Sequence, residues 1–280
     1  MSLEKKIDFV CLVSVTNANP NGDPMIDGRP RCTSDDFGEI SDVCIKRKIR
    51  NRMQDLGHDI FVQTEGRVVD GYKSLADRAK ALGIDGDDEA FLKKACDKYL
   101  DIRAFGQLFT IKKEKDCEGI TSGVRGPVSI QIANSVDPVE IETMQITKYA
   151  SFVTSEKKGP DTMGKKQFVR FGLYIIKGSI NVQPAEKTGF SEEDAEVIKE
   201  CLRTLFVNDA CATRPDGSMV VNRLYWFTHN TKEGQYPAYE VHNSVHVKLK
   251  EGVMTPKSFD DYVVTREELE GLKCEGIKGW

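Results

Sequence analysis

The chain has 280 residues, is 39% hydrophobic, and carries 44 acidic against 40 basic side chains for a net charge of −4. That length buries a substantial core, and the slightly acidic balance excludes a protein that coats polyanions by bulk charge, so any such partner has to be met by a local cluster. No uncharged apolar run approaches the ~18 residues of a membrane span and the first residues lead into a strand-like run rather than a signal core, so a soluble, cytoplasmic protein is expected.

The eight cysteines lie singly with no C-x-x-C pair, which reads as reduced thiols packing like small hydrophobes rather than as disulfides or a zinc site. Acidic residues gather at 85–89, 192–194 and 266–270, and basic ones at 46–52 and 157–166. Two faces of opposite sign would suit a subunit that stacks on itself.

In chain order, Ile7, Phe9, Cys11, Val13 and Val15 alternate with their neighbours at a period of two, predicting a first strand with one well-buried face. Asn17, Pro20, Asn21, Gly22 and Pro24 end it, and an irregular loop runs to about Ile40. Ser41 or Asp42 offers an N-cap, Ile45, Ile49, Met53 and Leu56 recur at helical spacing, and Gly57 supplies the stop. Residues 59–63 read as a short strand, and residues 75–99 as a helical pair broken near 83–88, within an inserted segment spanning 64–100.

Residues 101–109 and 124–133 are the next predicted strands, separated by a lysine-rich turn and the loop 119–123. Residues 140–182 read as a long hairpin with a mobile, lysine-rich tip at 154–167. Ser191 caps a second amphipathic helix bearing Ala195, Ile198, Leu202, Leu205 and Phe206, and residues 220–229 and 239–249 are read as strands that close the sheet. With insertions set aside, the order is strand, helix, strand, strand, helix, strand. That predicts one α+β domain with a ferredoxin-like, antiparallel sheet of the kind used by RNA-recognition motifs.

Lys46, Arg47, Lys48, Arg50 and Arg52 put five cations in seven residues of the first helix, with Lys46, Arg47 and Arg50 on one flank of the apolar stripe. That flank is a phosphate-sized basic patch, and Arg29 and Arg31 precede it in the long loop, so the two segments would meet one polyanion; a merely solvated helix face is the competing reading. Gly123, Arg125 and Gly126 suit a turn at which backbone amides approach a phosphate, or an ordinary tight turn before a strand. Neither fits a nucleotide-binding glycine motif, so no cofactor is assigned.

Gly28-Arg29-Pro30-Arg31 followed by the Lys46-Arg47-x-x-Arg50 helix resembles the loop and first helix of CRISPR Cascade backbone subunits, of the RAMP superfamily. The stretches 101–106, ending Phe105-Gly106, and 123–128 resemble that family's aspartate-to-Phe-Gly segment and glycine-rich loop, and residues 16–23 and 135–139 resemble its type I-C branch in particular.

The resemblance implies a modified RNA-recognition fold that binds guide RNA without cutting it. Further copies of the chain would stack head to tail, and a hairpin thumb would interrupt the guide's pairing with target DNA. It also implies the large and guide-processing Cascade subunits as partners. On that reading Arg29, Arg31, Lys46, Arg47, Arg50, Gly123, Arg125 and Gly126 contact RNA, and Lys157, Lys158, Met163, Lys165 and Lys166 form the thumb tip. Met163 would act as an apolar wedge or merely cap a loop.

The alternative is a metal-dependent RNA endonuclease using Asp23, Asp27, Asp35 or Asp36. His58, His229, His242 and His246 are too scattered for acid-base catalysis; residues 242 and 246 on a strand would lie roughly 13 Å apart, too far to share a metal, and these read as surface histidines.

Overall fold

The computed structural model describes residues 1–113, 119–147 and 163–280, and strand β1 (Ile7–Ala18) runs through its centre. The alternation predicts one buried face, but Val10 and Leu12 on the other face are fully buried too. The long loop that follows is organised by a small hairpin, β2 (Gly22–Asp23) with β3 (Arg29–Pro30), and by β4 (Phe37–Ile40). Helix α1 (Asp42–Asp55) starts where the Ser41 hydroxyl accepts from the Cys44 amide at 3.2 Å, and Ile45, Ile49 and Met53 turn inward.

The insertion contains α2 (Leu75–Lys80), α3 (Asp88–Lys98), α4 (Leu100–Phe105) and the hairpin of β5 (Gly106–Ile111) with β6 (Ile120–Arg125). It has its own core, in which Phe109 meets Phe61 and Phe91 edge to face at 5.4 and 5.0 Å between ring centres. Three expectations are corrected here. Residues 59–63 form no strand, because the Phe61 and Val62 amides donate to the Asp101 carboxylate instead of to a neighbouring strand. Residues 100–105 are helical, with Leu100 and Ala104 one turn apart in the main core, so the strand predicted from 101 starts only at Gly106. The supposed loop at 120–123 is strand β6.

The strand predicted at 124–133 is divided between the end of β6, β7 (Val128–Ile130) and the start of β8 (Ala133–Pro138). Strand β9 (Ile141–Thr147) then pairs with β10 (Met163–Ile180). Val169–Ile180 of β10 pair with β1, whereas Met163–Val169 pair with β9, so the hairpin continues as an arm past the end of β1.

Helix α5 (Val182–Thr188) leads to α6 (Glu192–Arg203), where Ser191 and Asp194 form a reciprocal capping box. Strand β11 (Met219–Thr228), helix α7 (Ala238–Asn243), β12 (Val245–Leu249), β13 (Tyr262–Arg266) and β14 (Lys273–Lys278) complete the described order.

The main sheet runs β14-β11-β1-β10-β8-β4. Stripped of its outer strands, this is fourth, first, third, second, the antiparallel ferredoxin-like order expected from the sequence. Helices α1 and α6 cover one face, closing Ile45, Ile49, Ile198 and Leu202 over Phe9, Cys11 and Val13.

The predicted strand at 239–249 does not close the sheet. Its first half is helix α7, its second half pairs with β13 in a separate ribbon, and β14 takes the edge beside β11. The reason is apolar demand: Val10, Leu12, Leu173, Tyr225 and Phe227 face away from α1 and α6, and Val241, Val245 and Tyr262 cover them. Among the described residues, no helix is long and apolar enough to cross a membrane.

Candidate nucleic-acid interface

RNA-recognition motifs stack bases on aromatic side chains of their open sheet face. Here that face is sealed by α7, β12 and β13, so a polyanion has to be met at the edges of the fold.

The cationic run of α1 is mostly spent inside the molecule. Lys48, only 4% exposed, pairs with Asp209 and lies 5.5 Å from the centre of the Phe206 ring. Arg52 donates to Thr204 Oγ1 at 2.8 Å. Arg47 donates to the Val62 carbonyl at 2.7 Å and to Asn51 Oδ1 at 3.3 Å, and burial, with the nearby charge of Arg50, pulls its pKa down.

Arg50 Nε donates to Asp101 Oδ2 at 2.9 Å and its guanidinium lies 4.9 Å from the centre of the Phe105 ring. Asp101 also accepts from Phe61 N at 2.6 Å and Val62 N at 3.1 Å, so Arg47 and Arg50 fasten the insertion to the core helix. Lys46 differs: its partner, Asp42 at 3.0 Å, is on the same helix, and a quarter of its side chain is exposed. The three cations placed on one flank by the helical wheel therefore stand in different surroundings.

Arg29 lies opposite Asp23 in the β2–β3 hairpin. Arg31 approaches Asp23 Oδ1 at 3.5 Å, while its Nε is buried with no hydrogen-bond partner. Asn21 links this hairpin to α1, accepting from Arg31 N through its carbonyl and from Ser41 N through its side chain, each at 2.9 Å. Arg50 lies about 13 Å further along the helix axis than Ser41, so the hairpin adjoins the start of α1 rather than the Arg50 end.

Three of the four loop aspartates serve local geometry. Asp23 accepts from Met25 N at 3.0 Å, and Asp27 and Asp36 hold left-handed backbone at φ 49° and 63°. Among the described residues, no three His, Cys, Asp or Glu side chains gather as a metal site would require.

Gly123 lies in strand β6 opposite Leu108 rather than in a turn, which corrects the glycine-loop expectation. The glycines around it answer to a close crossing of chains. A Cβ on Gly126 would fall 2.3 Å from Ala104 O, and one on Gly106, at φ +79°, 2.3 Å from Val124 O. The crossing fixes Arg125 opposite Gly106, at the lip of a shallow concavity whose floor includes Phe105, Leu108 and Gly123.

Arg125 is exposed and has no partner among the described residues. The structure thus brings Arg50, Gly123, Arg125 and Gly126 together around Phe105, a residue the sequence reading missed. Its signal was the Phe-Gly pair, which marks a helix stop at a glycine with positive φ.

On the arm, register places Met163 and Lys165 on one face and Lys166 on the other, beside Met144. Met163, Met144 and Ile146 are 65%, 47% and 46% exposed. Lys157 and Lys158 lie outside the described residues.

Two of the histidines expected at the surface are buried. His229 Nδ1 accepts from Gln235 N at 3.0 Å, so Nε2 carries the proton and donates to Asp8 Oδ2 at 2.8 Å. His242 Nε2 donates to the Gly178 carbonyl at 2.9 Å, Lys6 Nζ lies 3.0 Å from Asp8 Oδ2, and Ser179 Oγ donates to Asp8 Oδ1. The cluster joins β1, β10, α7 and the end of β11 below the surface. His246 is partly exposed on β12 and bonded to Glu267 at 2.8 Å.

Comparison with known proteins finds the following likenesses. A family model described as CRISPR-associated protein Cas7 matches residues 5–267. The CRISPR-associated protein Cas7 of Haloferax volcanii is 28% identical over 224 residues, covering 73% of this chain, and the chain spans 65% of that relative's length. Two solved chains, from a CRISPR RNA-guided surveillance complex in a pre-nicking state and from a CRISPR RNA-guided surveillance complex, each share 15% identity over 79% of this chain. They are covered over 78% and 68% of their own lengths, at TM-scores of 0.46 and 0.45.

Proposed function

The chain belongs to the Cas7 family of CRISPR-associated proteins, and from that premise we propose that it is a non-cutting, RNA-binding backbone subunit of a cytoplasmic CRISPR surveillance complex of type I-C. Copies stack head to tail along a guide RNA and support its pairing with target DNA, with the large and guide-processing subunits as further partners. Arg29, Arg31, Lys46, Arg47, Arg50 and Arg125 hold phosphates, with the backbone at Gly123 and Gly126 allowing close approach. The arm of β9 and β10 acts as the thumb, its tip drawing on Lys157, Lys158, Met163, Lys165 and Lys166.

The observation that carries this reading is the family match over nearly the whole chain. The ferredoxin-like order and the exposed arm agree with it, and the type I-C assignment rests on the likeness of residues 16–23 and 135–139. The test is purification at low ionic strength, measurement of nucleic-acid against protein absorbance, and sequencing of the extracted RNA. Protected RNA of repeat-containing guide sequence is expected, and a labelled complementary RNA with magnesium or manganese should remain intact. A clean RNA-free monomer would overturn the reading, and so would metal-dependent cleavage abolished by Asp23→Ala or Asp27→Ala.

A further inference from the structure

We propose that Phe105 is a base-stacking platform for single-stranded RNA, backed on one side by the Arg50 guanidinium and flanked by Arg125 as a phosphate contact. The inference rests on the RNA-binding reading and assigns a specific nucleotide site within it.

The site is built by three constraints. Phe105 ends α4 and is half-buried, and its ring is fixed by packing against the main core and by Arg50, 4.9 Å from the ring centre. Arg50 is itself immobilised, because its Nε is bonded at 2.9 Å to Asp101, a fully buried carboxylate that also holds the amides of Phe61 and Val62. One ring is thus presented without the entropy cost of ordering it on binding. The tight crossing at Gly106 and Gly126 then sets Arg125 beside that ring, exposed and unpaired among the described residues.

The surroundings select the ligand. Among the described residues, Phe105, Leu108, Gly123 and Arg125 line the concavity and no carboxylate does, and Leu108 is 71% exposed. In a chain of net charge −4, an apolar floor with an arginine at its rim that is unpaired among the described residues, and a second arginine behind the ring, is complementary to a flat base on a phosphate chain. Stacking of this kind tolerates any base, as a protein that holds many different guides requires.

The test uses the full chain, stripped of co-purifying nucleic acid by nuclease and high salt, with unstructured oligouridine and oligoadenine as probes. Phe105→Leu is expected to weaken both roughly 5- to 100-fold, the loss of one stacked base. Arg125→Ala is expected to lower the salt slope by ~0.7. Because Phe105→Leu also disturbs packing, Phe105→Trp is made in a Trp280→Phe background, which leaves buried Trp226 as a constant signal. Oligonucleotide should quench the introduced indole while affinity stays within about twofold of the parent, since tryptophan also stacks. Unchanged fluorescence at saturating RNA, or full affinity in a folded Phe105→Leu variant, would overturn this site while leaving RNA binding standing. A parent chain that binds neither probe would overturn both.

Discussion

Asp8 is fully buried on a central strand, and burial, the largest single influence on it, pushes its pKa up. The hydrogen bonds from His229 and Ser179 and the charge of Lys6 outweigh that effect and hold it below the ordinary carboxylate value. Burial moves His242 the other way, below its ordinary value of 6.5, with the Gly178 carbonyl and Asp8 offsetting part of the shift and Lys177 and Lys6 adding to it. Both signs agree. Wherever the unfolded chain binds more protons than the folded one, stability rises with pH. The stability contributed by neutral His242 is complete above about pH 6.5 and falls as the solution is acidified below it. Ionised Asp8 adds a second loss below the ordinary carboxylate value of 3.8. The thermal midpoint of the RNA-free chain should therefore decline as pH drops through the range just under 6.5, and His242→Gln should flatten that decline. Asp8→Asn, which leaves Lys6 without its buried partner, should cost about 3–5 kcal/mol at neutral pH. A profile identical in wild type and His242→Gln would show that His242 does not govern it. None of this was legible in the sequence, because residues 8, 179, 229 and 242 meet only after the strands have paired.

Helix α1 shows how spacing reveals an element and conceals its chemistry. The cap and the apolar stripe at Ile45, Ile49 and Met53 were readable because they depend on neighbours three and four residues away. The fate of Arg50 depends on Asp101, fifty-one residues later, within a stretch that reads as a strand but folds as a six-residue helix too short for its period to declare. A consequence follows for mutagenesis of the cationic run. Arg50→Ala leaves the buried Asp101 carboxylate without its charged partner and should cost about 2–3 kcal/mol, with faster amide exchange at Phe61 and Val62. Lys46→Ala removes only a same-helix pair and should stay within about 0.5 kcal/mol. Denaturant titration of the two variants separates the cases, and equal costs would contradict the anchoring role. RNA affinity of any variant lacking Arg50 has to be read beside its stability, whereas Lys46→Ala reports on affinity alone.

For the molecule as a whole, the order of strands and helices was legible because it determines a ferredoxin-like sheet almost unaided, with β11-β1-β10-β8 as its core. The second layer was not. Alternation at 245–249 marks a strand correctly but cannot say which sheet it joins, and what decided this was the apolar second face of β1 and β11. Covering that face leaves the β9–β10 arm as the feature standing apart from the main body, since residues 163–168 of β10 have β9 as their only strand partner among the described residues. The arm exposes Met144 and Ile146 on one face, with Ile146 lying across Gly164, where a Cβ would come within 3.1 Å of its Cγ1. Side chains that bury so little in the single chain contribute little to its folding, so their apolar surface gains most when a second copy covers it. A head-to-tail contact that does not close on itself propagates, so the RNA-loaded chain is expected to form heterogeneous assemblies. Their size by light scattering should fall after nuclease treatment or in high salt. Met144→Ser with Ile146→Ser should shrink them at unchanged RNA content, while the midpoint of unfolding of the RNA-free monomer shifts by less than about 2 °C. Assemblies of wild-type size from that double variant would show that the exposed apolar pair of the arm takes no part in joining copies, and a strictly monomeric RNA-bound wild type would remove the stacking itself.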